Sequence, residues 1–345
     1  MTDAPLELAA RAVLKDYWLS ETSQRTYYLG NAGGFSDSHL WQIRDRHSTY
    51  CLKAWPVDLK DSDRLGQTHQ WMKQAYDFEK GWLFVPEIFK RKDSKTWIRH
   101  SGRLWDVTDW KPGRANFFAQ PSLPRLQAAC RALAQLHDAW SSETLVTKPP
   151  SVFWRLESAR QWEDMIRRGW RPMVALTELD PVSPIAGRIW ALLPQFLPEI
   201  EIRLQCWTEP RTLQPCLCDI WHDHVLFIGD EVTGIIDYGS IRLDTPAADL
   251  ARLLGSLVGD DLSMWNAGFA AYREVRPLHE AEAALARMLD WTGVVLGAAN
   301  WLHRLYVENR VYEDRERVAK RMQDLAQRME YFASSPLWGK SYRCL

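Results

Sequence analysis

The spacing of apolar residues changes period once along this chain, and that change limits what the chain can fold into. Before Asp109, apolar and polar positions mostly alternate: 25–30, 38–44, 49–55, 84–89, 96–100 and 103–109 read as strands. Only Glu7–Leu19 and Leu65–Tyr76 carry a helical pattern there. Lys111-Pro-Gly113 breaks the alternation, and most of the remaining chain is helical: Pro121–Trp140, Val152–Arg168, Pro184–Leu204 and three or four long segments after Thr245. Within this half only Leu213–Ile241 returns to strand, as two short pairs. The expectation is an α+β chain of two lobes. One is a β-rich lobe over 1–109, with a five- or six-stranded antiparallel sheet and one or two helices; the other is a mainly helical lobe over 110–345.

Length agrees, because 345 residues exceed the roughly 250–300 that one core usually supports. The 43 basic and 44 acidic residues leave a net charge of −1. That provides no field of one sign for binding nucleic acid or an anionic membrane, and neither is expected as a partner. The opening MTDAPLELAARAVLKDYWLS has no basic start before an apolar run and does not read as a secretory leader. The apolar run around Trp291–Ala299 meets His303 and Arg304 too soon to span a bilayer. A soluble cytoplasmic protein is expected, its six scattered cysteines reduced. Cys216-x-Cys218 beside His222 and His224 lacks the pair spacing of structural zinc.

Cys218–Gly239 (CDIWHDHVLFIGDEVTGIIDYG) reads as strand, polar loop, strand, turn, strand and exposed acid. Asp219 lies in the loop, and Asp237 ends the run Gly234-Ile-Ile236. Phosphoryl transfer needs one carboxylate to orient and deprotonate the attacking hydroxyl and another to hold the metal that neutralises the phosphates. Two strand-end aspartates joined by a hairpin can meet that need, although two acids that merely cap strands and face water would give the same pattern. The stretch resembles the aminoglycoside phosphotransferase and choline kinase superfamily, whose signature is His-Gly-Asp-x-His-x-x-Asn, a hairpin, then Ile-Asp-Trp/Phe-Gly. Asp244-Thr-Pro-Ala-Ala-Asp-Leu-Ala251 is similar to the family's Asp-Pro-x-x-Asp-Leu-Ala.

The resemblance implies a protein-kinase-like fold with its catalytic loop over 218–239, and transfer from ATP or GTP to a hydroxyl of a small molecule. It implies Asp219 as catalytic base, Asp237 as a ligand for Mg²⁺, and Asp249 as a brace for the catalytic-loop backbone. Leu217, Cys218 and Trp221 stand where the family has histidine, glycine and histidine. His224 replaces the asparagine that is the second metal ligand, and imidazole suits later first-row ions, so Mn²⁺ is a candidate beside Mg²⁺. A nucleotide-binding pseudokinase is the alternative reading.

The amino-terminal half should then supply a flexible turn and a lysine for the phosphates. Gly33 and Gly34, between two strands, could bring backbone amides to phosphate oxygens, though a Gly-Gly hairpin turn looks the same. Lys53, in Tyr50-Cys-Leu-Lys-Ala-Trp55, lies about as far past that loop as the family's phosphate-binding lysine. No helix glutamate is present in Arg64–Trp71 to pair with it; Gln67 stands nearest, and Glu79 lies further on. Leu104–Gly113 resembles the family's hinge strand, which places backbone groups of Val107 and Asp109 at adenine.

The acceptor would fall to segments around Trp154–Trp170 and Asp260–Arg310. Trp154, Trp162, Trp265, Trp291, Trp301 and Tyr306, with Asp260, Asp261, Asp290 and Glu308, would favour an amino or quaternary ammonium group. Core packing and helix capping are the competing roles. An aminoglycoside, amino alcohol, sugar or homoserine-like acceptor stays open, as does the oligomeric state. A protein kinase is disfavoured, because Tyr238-Gly239 leads directly to Asp244 and leaves no long activation segment.

Overall fold

A computed structural model describes residues 4–17, 25–31, 37–59, 61–78, 84–173, 180–312 and 314–335. In chain order the elements are α1 (Ala4–Leu14), β1 (Arg25–Gly30), β2 (His39–Arg44), β3 (Thr49–Ala54), α2 (Ser62–Phe78), β4 (Trp97–His100), β5 (Arg103–Asp109) and α3 (Leu123–Ala139). Then come β6 (Leu145–Thr147), α4 (Pro150–Arg167), α5 (Ser183–Leu204), β7 (Arg211–Cys216), β8 (Val225–Ile228) and β9 (Glu231–Ile235). The last elements are β10 (Arg242–Asp244), α6 (Pro246–Val258), α7 (Leu262–Arg273), α8 (Glu280–Tyr306) and α9 (Arg315–Ser334). They form two compact units, Met1–Ser142 with Ile220–Arg242, and Glu143–Asp219 with Leu243–Leu345. That division differs from the change of period at 109–110, because α3 and the β8–β9 hairpin belong with the sheet.

In the first unit, five antiparallel strands run in the order β1-β2-β3-β5-β4. Segment 84–89 reads as a strand in sequence but contributes only a bridge between Ile88 and Thr108, since Pro86 has no N–H to extend a ladder. Helix α1 lays Ala9, Ala10, Val13 and Leu14 against Trp41, Ile43, Leu52, Ala54, Trp105 and Val107 on one face. The two-residue strand period then sends Lys53 and its cross-strand partner Asp106 to the opposite face. There Leu65 of α2 packs with Trp55 and Leu104.

Helix α3 starts at Ser122, whose Oγ accepts from the Arg125 N–H. The buried Arg125 guanidinium donates to the carbonyls of Asn116, Gln120 and Gly229, which ties α3 to the β8–β9 turn. Gly113 (φ +102°) is needed at this junction: a Cβ there would stand 2.8 Å from the Phe227 carbonyl oxygen.

The second unit holds helices α4 to α9 and a small sheet ordered β10-β7-β6, with α6 packed on β7. Apolar faces of α5, α6, α8 and α9 meet through residues such as Ile189, Leu193, Leu254, Leu289, Val295, Leu302, Met322 and Met329, all buried. Asp244, fully buried, joins two helix starts: its carboxylate accepts from Ser151 Oγ (2.7 Å), Ser151 N (3.0 Å) and Thr245 N (2.8 Å). Arg328 of α9 donates to both Asp260 and Asp290 at 2.6 Å. Among the described residues Cys51, Cys130, Cys216 and Cys218 are free thiols, as expected of reduced cysteines. Among the described residues no helix is long and apolar enough to cross a membrane.

Candidate active site

In the second unit β7 ends at Cys216, and the chain then turns sharply. Cys218 adopts φ +63°, a left-handed conformation that disfavours any side chain. The turn is held by Asp249, fully buried in the first turn of α6, whose two oxygens accept from the N–H groups of Leu217 and Cys218, each at 2.6 Å. The bracing role expected for Asp249 is thus met directly. Asp219 comes next, half-exposed, and its Oδ1 accepts from Arg252 Nη2 at 2.6 Å. Arg252 lies three residues after Asp249, so one face of α6 supplies both the brace and the partner of Asp219. Arg321 of α9 is close enough to feel this pair: burial, then the Arg252 charge, pull its pKa down, while Asp324 and Asp219 oppose them.

In the first unit Asp237 comes after β9 with φ +62°. Its Oδ1 accepts from Lys53 Nζ at 3.0 Å and from Gly239 N at 3.4 Å. The Lys53 charge, joined by His224 and set against burial, holds the Asp237 carboxyl well below the usual carboxylate range. Burial alone would lower the lysine, but Asp237 and Asp106 outweigh it and raise its pKa. Lys53 Nζ also sits 3.9 Å from the centre of the Trp55 ring. That ring explains the glycine of the Asp-Tyr-Gly motif, because a Cβ on Gly239 would lie 2.8 Å from Trp55 Cζ3.

His224 Nε2 stands 3.8 Å from Asp237 Oδ2 and accepts a hydrogen bond from Trp221 Nε1–H at 2.8 Å. The carboxylate oxygens of Asp237 suit a hard divalent cation. The His224 nitrogen facing Asp237 is already taken by an N–H donor, so it fits an orienting residue better than a metal ligand.

Other expected site residues are distributed differently. Gly33, Gly34 and Glu79 lie outside the described residues. The Val107 carbonyl accepts from Phe89 N (3.0 Å) and the Asp109 N–H donates to the Glu87 carbonyl (3.1 Å). Asp109 also takes Glu87 N and Lys111 Nζ on its carboxylate. These groups join the sheet to 87–89. Gln67 is not what α2 turns toward Lys53's strand pair; that residue is His69, buried, with Nε2 3.0 Å from Asp106 Oδ2. No motif points to His69, Asp106 or Arg252, although the alternation around Lys53 and Asp106 already puts their side chains on one face.

Among the described residues, most of the aromatic and acidic positions expected at an acceptor pocket have other roles. Trp265, Trp291 and Trp301 are core residues, Asp261 caps α7, Asp260 and Asp290 hold Arg328, and Glu308 pairs with His303 and Arg310. The charged groups nearest Asp219 in its own unit include arginines.

The profile of a phosphotransferase enzyme family matches residues 28–288. A homoserine kinase of Methylorubrum populi is 25% identical over 312 residues, covering 84% of this chain and 88% of that protein. One from Sinorhizobium medicae is 26% identical over 302 residues, covering 81% and 83%. Among solved structures, a spectinomycin phosphotransferase in complex with ADP and spectinomycin has a TM-score of 0.61 at 12% identity, covering 94% of this chain and 97% of that one. A microcompartment-associated aminopropanol kinase also scores 0.61, at 16% identity and 98% and 99% coverage. With its two aspartates, its lysine and this match over most of its length, the chain belongs to the phosphotransferase enzyme family and is a small-molecule kinase of the kinase-like α+β fold.

Proposed function

We propose that this kinase transfers the γ-phosphoryl group of ATP, with Mg²⁺, to the side-chain hydroxyl of a small hydroxylated amino acid of the homoserine type. The observation that carries the nucleotide side is the Lys53–Asp237 pair at 3.0 Å, with Asp237 fixed in a left-handed turn. Lys53 would turn its ammonium to phosphate oxygens, and Asp237 would hold the divalent cation, which when bound neutralises charge between the β- and γ-phosphates. Asp219 takes the proton of the acceptor hydroxyl as its oxygen bonds to phosphorus and the bond to the β-phosphate oxygen breaks. Arg252, paired with Asp219, supplies a cation beside the base. That favours an acceptor bearing a carboxylate, as homoserine does, over a purely cationic one.

The test is phosphotransfer from ATP to L-homoserine, amino alcohols, aminoglycosides and sugars with Mg²⁺ or Mn²⁺. Asp219→Asn should lower kcat by about 10²- to 10⁴-fold while nucleotide affinity changes little. A variant that keeps most of the parent rate removes Asp219 from the role. The second reading, a nucleotide-binding pseudokinase, is favoured by the His224 nitrogen already occupied by Trp221. His224→Asn separates the two readings by restoring an oxygen donor: a rise in the Mg²⁺-supported rate relative to Mn²⁺ marks a metal site that works, and no turnover in either protein supports the pseudokinase.

A further inference from the structure

Protein kinases hold the phosphate-binding lysine with a glutamate on the neighbouring helix, and α2 offers none within its described span. The first unit contains another carboxylate close to Lys53. Asp106 on β5 is its cross-strand partner and is almost wholly buried. Its Oδ2 accepts from Trp55 Nε1–H at 2.6 Å and faces His69 Nε2 at 3.0 Å. A carboxylate only accepts, so His69 Nε2 carries the hydrogen. The other ring nitrogen, Nδ1, lies 2.8 Å from Thr96 Oγ1, which fixes the imidazole at both ends. Asp106 contributes to raising the lysine's pKa. The Trp55 ring that Asp106 orients is the ring against which Lys53 Nζ rests.

We infer that Asp106, clamped by His69 and Trp55, is the residue that positions Lys53 for the nucleotide phosphates, the part that a helix glutamate plays in protein kinases. This rests on the kinase reading of Lys53 but not on the identity of the acceptor. Lys53 has one neighbour that must be given up and two that stay. Its bond to Asp237 competes with the use of Asp237 for a cation, whereas Asp106 across the strand pair and the Trp55 ring remain to keep the ammonium in place when that bond opens. Because His69 is on α2, the position of that helix reaches Lys53 through the strand carboxylate. Buried carboxylates confined by two N–H donors hold their geometry well, which suits a positioning role.

The experiment measures nucleotide affinity by calorimetry, with KM for ATP and for the acceptor, in Asp106→Asn, Trp55→Phe and His69→Gln. Asp106→Asn should weaken nucleotide binding and raise KM for ATP about 10-fold or more, the equivalent of about 1.4 kcal/mol, with KM for the acceptor unchanged. Trp55→Phe keeps the ring but loses its N–H; it should move nucleotide affinity in the same direction by less, and it serves if the Asp106 variant does not fold. His69→Gln, which can still donate to Asp106, should stay close to the parent while His69→Ala does not. In a Lys53→Met background Asp106→Asn should have no further effect on nucleotide affinity. Unchanged nucleotide affinity in folded Asp106→Asn and Trp55→Phe, or full additivity with Lys53→Met, overturns the inference. If the parent binds nucleotide yet phosphorylates nothing, the affinity measurements still decide it.

Discussion

Two residues of the motif stretch 218–239, Cys218 in the second unit and Asp237 in the first, are held in left-handed backbone conformations that non-glycine residues avoid. The family signature that this stretch resembles has glycine at the Cys218 position, and the structure supplies a reason: the N–H groups of residues 217 and 218 must both turn to Asp249. The left-handed turn costs a side chain about 1–2 kcal/mol, and glycine returns about 0.4–1 kcal/mol through its freer unfolded chain. Cys218→Gly should therefore stabilise the protein by about 0.5–1 kcal/mol, read as a higher denaturant midpoint at unchanged slope. A loss of stability would mean that contacts of the Cys218 side chain outweigh the strain. Asp219 and Asp237 stood out in the sequence as candidates because linked motifs mark them, and Lys53 because of its distance past the Gly33-Gly34 loop. The partners that tune them, Arg252, Asp106 and His69, did not, because they sit on ordinary-looking strands and helices and acquire meaning only once those elements pack.

At the scale of elements, helices α6, α8 and α9 meet at Asp290, which Arg328 contacts and against which Gly255 packs so closely that a Cβ there would fall 1.9 Å from Asp290 Oδ1. Burial, acting against Arg328, raises the Asp290 carboxyl above its usual value of 3.8. A raised folded pKa means that the native state binds this proton more readily than the unfolded chain. Its stabilising effect is complete below the unfolded value and is lost as pH rises through the folded one. Asp290→Asn cannot titrate. The stability of the parent relative to this variant should therefore improve as pH falls from about 7 towards about 4, measured by urea denaturation of both proteins. The opposite trend would show that Arg328 dominates and the carboxyl is depressed. Most helices and strands were readable from their period, because amphipathic faces are local. The short strands β6 and β10 were not, being stabilised by β7 rather than by their own pattern, and 84–89 looked like a strand because its apolar residues pack while Pro86 withholds an N–H.

For the whole molecule, the sequence suggested a boundary at 109–110, where the period changes. The compact units instead exchange stretches of chain, with 220–242 belonging to the sheet unit and 143–219 to the helical one. Periodicity reports what each segment is, not which distant segment completes its core. Arg125, which is 2% exposed, depends on the Gly229 carbonyl, and Phe117 packs on Phe227. A protein of residues 1–142 alone should accordingly lack a cooperative unfolding transition, and one joining 1–142 to 220–242 by a flexible linker should regain it. A sharp transition in the shorter protein would show that the hairpin is dispensable. The same discontinuity sets an order of events at the ribosome. The sheet unit emerges first but stays unfinished for some eighty further residues, until its hairpin leaves the exit tunnel. During that interval the nascent chain carries an open hydrophobic seam, and a quick return of 220–242 is what spares it from sticking to its neighbours.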